Sequence, residues 1–70
     1  MQPQEQLDYI QRFIERWEKA DTYTPEESEQ ILAELTDEFA YFCKKENLPH
    51  MSADELYCEL HEKMYPQTIN

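Results

Sequence analysis

The 70-residue chain contains no glycine and no valine. An interior glycine lowers helix stability by up to about 1 kcal/mol, and valine is a strand former. Their joint absence favours helices. It also removes every glycine-dependent phosphate loop, so P-loop and dinucleotide fingerprints are excluded. The four prolines act as punctuation. Pro3 and Pro25 suit first helical positions, where a missing N–H costs nothing, and Pro49 and Pro66 block continuation.

The most sharply delimited stretch is Thr24 to Glu46. Thr24-Pro25-Glu26-Glu27 reads as a capping box, with Thr24 as N-cap and Glu27 at N3, and the two carboxylates suit the positive end of the helix dipole. Leu32, Leu35, Phe39 and Phe42, with Ser28, Ile31 and Cys43, give an apolar seam. Lys44 and Lys45 suit the last turn, Asn47 a left-handed C′ position, and Leu48 a fold-back onto that turn.

Upstream, Leu7, Ile10, Ile14 and Trp17 recur at heptad-like spacing, widened by Phe13 and Ala20, which predicts a helix over about 3–20. Tyr9 precedes Phe13 by four residues and is expected to touch it. Asp8 with Arg12 and Glu15 with Lys19 are i,i+4 pairs of the favourable order. Downstream, Ser52-Ala53-Asp54-Glu55 is a second capping box, with Met51 and Leu56 as a hydrophobic staple. Ala53, Leu56, Tyr57, Leu60 and Met64 share a face of a helix over about 53–65. The whole, 1–70, is then a single all-α domain: a small antiparallel three-helix bundle in up-down-up order, with a long central helix over about 25–46 and a short frayed tail at 67–70. The central helix has length to overhang and pair with a second copy.

Ordering 70 residues costs on the order of 100 kcal/mol of conformational entropy, so a core this small gains from a homodimer or a partner complex. Sixteen acidic and six basic residues leave a net charge of −10. That disfavours direct nucleic-acid or anionic-membrane binding, both of which need clustered Lys and Arg. No apolar run approaches a membrane span. The segment Met1-Gln2-Pro3-Gln4-Glu5 lacks the features of a signal peptide, and two cysteines are no disulfide framework. A reducing cytoplasm is the expected location.

From Asp21 to Phe42 there are seven carboxylates and no Lys or Arg. Glu27, Gln30, Glu34, Asp37, Tyr41 and Lys44 make one stripe opposite the apolar seam, flanked by Glu26 and Glu38. Asp54, Glu55, Glu59 and Glu62 form a second cluster, opposed only by Lys63. Seven charges along about 33 Å of helix are somewhat sparser than the phosphates of one DNA strand. The ordinary reading of such a face is a solvated helix surface. What sets it apart is one-sidedness, since a face kept only for solubility usually mixes in more lysine. Exposed tyrosine beside carboxylates has the composition of a protein-binding patch, with Tyr41, Tyr23 and Tyr65 as candidates.

Cys43, His50, Cys58 and His61 fall within 19 residues and have the chemistry of zinc ligands. Their spacing fits no zinc module. Cys58 is expected to point away from Cys43, which reads as a small core residue, with His61 on a rim beside Tyr57. No metal and no cofactor are expected. No nucleophile–base constellation is present, so the chain does not read as an enzyme. A helix-turn-helix would present acids to phosphates. An EF-hand fails because Glu26 stands at position six and Leu32 at position twelve counted from Asp21.

Two readings remain. The first is an inhibitor or modulator that presents Glu27, Glu34, Asp37, Glu38, Tyr41, Asp54, Glu55, Glu59 and Glu62 to a basic, nucleic-acid-handling protein, as a nucleic-acid mimic. Small acidic proteins with which phages and mobile elements disarm host nucleases, anti-CRISPR proteins among them, share this general character, though no motif links this chain to them. The alternative is a structural adaptor or self-associating module acting through its apolar helix faces.

Overall fold

A computed structural model describes residues 1–66 and shows three helices: α1 (Pro3–Ala20), α2 (Pro25–Lys45) and α3 (Ala53–Met64). The protein is an all-helical small bundle, and the described residues include no strand. The expected frayed tail, 67–70, lies outside the described residues.

The helix ends follow local chemistry. Thr24 Oγ1 accepts from the Glu27 N–H at 3.4 Å, and Ser52 Oγ accepts from the Glu55 N–H at 3.3 Å. These are the cap halves of the two boxes, each satisfying a donor that the first turn leaves without an intrahelical partner. At the far end of α2, Asn47 adopts φ 57°. The Leu48 N–H then reaches the Cys43 carbonyl at 2.8 Å, and the Asn47 N–H reaches that of Lys44 at 3.3 Å. This is a Schellman ending, and its hydrophobic contact is present because Leu48 packs on the core.

The core is aromatic at the α1–α2 interface. Phe13 meets Phe39 with ring centroids 4.6 Å apart, and Tyr9 stacks on Phe42 at 4.2 Å. Tyr9, expected to touch Phe13, also stacks its ring across the helix pair and packs on the core that contains Phe13. These contacts pair early α1 with late α2 and set the two helices antiparallel. Ile10, Leu35 and Leu56, one from each helix, are fully buried, and burying each contributes roughly 1.5–3 kcal/mol. Ile14, Trp17, Ile31 and Leu32 are only half-buried and pack around this centre.

One expectation is corrected. α3 does not complete an up-down-up order, because it also runs antiparallel to α1. Its start, Ser52 to Asp54, faces Trp17 and Glu18 across a shared cleft. Beyond its end, the Tyr65 hydroxyl donates to Gln4 Oε1 at 3.2 Å. The physical reason is the connection: the seven residues 46–52 can span about 23 Å when extended, enough to return along the bundle. Both α2 and α3 pack closely on α1, while α2 and α3 make no close backbone approach to each other. The longest helix is α2, but α1 is the element on which the bundle is assembled.

Candidate functional site

The stripe on α2 forms as its spacing requires. Glu27, Glu34, Asp37 and Tyr41 are all exposed, and Tyr41, at 67% exposure, is the most exposed large apolar residue in the described chain. Glu27 to Tyr41 covers about 21 Å of helix. None of these carboxylates is in an ion pair with a described residue.

Glu38 departs from the expected set. It is half-buried, and its Oε2 accepts from Arg16 Nη1 at 2.8 Å. Its place on α2 turns it toward α1, so it joins the helix pair rather than the open stripe. Burial raises the Tyr9 hydroxyl pKa above its ordinary value, and the negative charge of Glu38 adds to that rise. The two ion pairs expected within α1 do not close. Gln4 Nε2 instead donates to Asp8 Oδ1 at 3.2 Å, and Arg16 reaches across to α2. Exposed i,i+4 pairs contribute only a few tenths of a kcal/mol, too little to hold long side chains against solvent and competing partners.

Asp54, Glu55, Glu59 and Glu62 are exposed on α3. They do not extend the α2 stripe at close range, since the two helices lack a close backbone approach. Asp54 lies on the rim of the cleft instead. Tyr23 and Tyr65 are exposed as expected, at 41% and 53%, and Tyr65 is partly engaged by Gln4.

The four residues considered for zinc are dispersed in role. Cys43 is buried in the core, where burial raises its thiol pKa, and Cys58 is exposed on α3. His61 stacks beside Tyr57 at 5.9 Å and against Tyr65 at 5.0 Å, and His50 lines the cleft rim. Among the described residues no group of three or more His, Cys, Asp or Glu is arranged to hold a metal. Among them, too, no helix is long and apolar enough to cross a membrane.

Two features escaped the sequence reading. Glu46, just past α2, accepts from Gln6 Nε2 at 3.1 Å and lies 3.4 Å from the Met1 ammonium. The Gln6 hydrogen bond, followed by that positive charge, holds its carboxyl below the ordinary carboxylate value. The second is the cleft, of about 480 Å³, walled by Phe13, Ile14, Trp17, Phe39 and Met51. The half-buried Trp17 was assigned simply to a seam. The opening depends on where the start of α3 settles against α1, which no local pattern encodes.

No protein-family model, no curated protein and no solved structure matches this chain.

Proposed function

We propose that the protein is a small acidic protein-binding module that presents the α2 stripe to a basic surface on a nucleic-acid-handling protein, where it competes with nucleic acid. The carrying observation is the line Glu27, Glu34, Asp37 leading to the exposed Tyr41, with no basic residue paired to it among the described residues. A face that a protein leaves uncompensated attracts cationic partners through the summed field, accelerates encounter and loses strength with salt. Tyr41 supplies a rigid amphipathic contact at the C-terminal end of that stripe, one turn before Lys44. Glu38, already held by Arg16, is a supporting residue rather than a contact. An inhibitor of the kind that mobile elements direct at host nucleases is the biological setting that fits this chemistry.

In the adaptor reading, contacts would run through the half-buried apolar residues around the core, since Phe39 and Phe42 are themselves buried.

The test is capture of partners on the tagged protein from lysate of the source cells, followed by displacement with excess duplex DNA. A basic nucleic-acid-binding protein released by both salt and DNA is the expected outcome. A partner that resists both would overturn the mimic reading.

A further inference from the structure

We infer that the cleft between α1, the middle of α2 and the start of α3 is a second docking site, which takes the apolar face of a cationic amphipathic helix from a partner protein. It is independent of the α2 stripe. Thr36, which brings α2 to the cleft, is about 160° around the helix from Glu34.

The cleft is an apolar trough with acidic lips. Phe13, Ile14, Trp17, Phe39 and Met51 form the walls, and its volume of about 480 Å³ falls in the range of sites that seat large side chains or small ligands. Trp and Met are suited to such a wall, the first offering wide contact area and the second adapting its shape. Glu18 stands on the α1 lip and Asp54 on the α3 lip, both exposed and neither in an ion pair with a described residue.

That arrangement selects the occupant by charge. An apolar segment flanked by acids would meet like charge on both sides. A second copy of this chain, carrying −10, meets the same repulsion. A helix with apolar residues at i, i+3, i+4 and i+7 and Lys or Arg beside them fills the trough and neutralises both lips.

Trp17 is the only tryptophan in the chain, so its emission reports occupancy directly. The probe is a capped Leu/Lys peptide of about 14 residues with leucine at those four positions. The expected result is a saturable blue shift at one peptide per chain. Glu18→Gln with Asp54→Asn should weaken it about fivefold at low salt, as two exposed ion pairs are lost. Glu5→Gln with Asp8→Asn, an equal change in charge at the far end of α1, should change it less than about twofold. The inference is overturned if a scrambled peptide of the same composition, or its Leu/Glu counterpart, binds equally. It is overturned too if the distant pair of substitutions matters as much as the near pair, which would mean general charge attraction. A Trp17 shift that grows with protein concentration alone would assign the cleft to a second copy instead. None of these outcomes depends on the α2 stripe.

Discussion

Arg16 and Glu38 meet at 2.8 Å across the α1–α2 interface, both side chains about half exposed. The contact takes one carboxylate out of the acidic face and uses it to hold the helix pair. Exposed pairs of this kind contribute about 0.2–1 kcal/mol. A double-mutant cycle with Arg16→Ala and Glu38→Ala should give a coupling within that range in dilute buffer, shrinking toward zero in molar salt. A coupling near zero at low salt would show that the pair does not persist in solution.

The core centre makes the largest demand on sequence. Leu35 and Leu56 are enclosed on all sides, and truncating a buried leucine to alanine typically costs about 2–5 kcal/mol. In a bundle of this size either change is expected to remove most of the stability. Ala33→Ser, on an exposed position of α2, should shift it by less than about 0.5 kcal/mol. Denaturant unfolding followed by far-UV circular dichroism measures all three.

Glu46 should leave a signature in acid. Its carboxyl lies below the ordinary value of 4.5 because Gln6 donates to it. A carboxylate with a depressed native pKa adds stability above its unfolded pKa, and that gain is lost as pH falls through the folded value. Glu46→Gln should therefore be less stable than the wild-type chain near neutrality, and the gap between their melting temperatures should close as pH drops below about 4.5. Comparing the two proteins cancels the general relief of repulsion that acidification brings to a chain of charge −10.

The two cysteines should separate cleanly by reactivity. Cys43 is buried with its thiol pKa raised, and Cys58 is exposed. Since the thiolate is the reactive form, brief alkylation of the native protein should modify Cys58 alone, and Cys43 should react only after denaturation. Peptide mass mapping reads this out. Early labelling of Cys43 would indicate that the α1–α2 interface opens readily.

Most of the local architecture was legible in the residues. Thr24, Pro25 and Ser52 start helices through chemistry that acts within one turn, and Asn47 and Leu48 end one the same way. The exposed stripe followed from period alone. What could not be read was long-range: the direction of α3, the pairing of Tyr9 with Phe42, and the diversion of Glu38 to Arg16. Each depends on how helices settle against one another, and several apolar faces of similar width permit more than one arrangement. The cleft beside Trp17 was hidden for the same reason.

The central claim is that the α2 stripe binds a basic partner. The most direct measurement compares wild-type protein with Glu34→Lys combined with Asp37→Lys for retention of the captured partner across increasing salt. Both positions are exposed, so the variant should keep its helical circular dichroism. The account predicts strong wild-type retention at low salt that falls steeply with ionic strength, and none by the variant at any salt. Equal retention by the two proteins, or retention indifferent to salt, would contradict it.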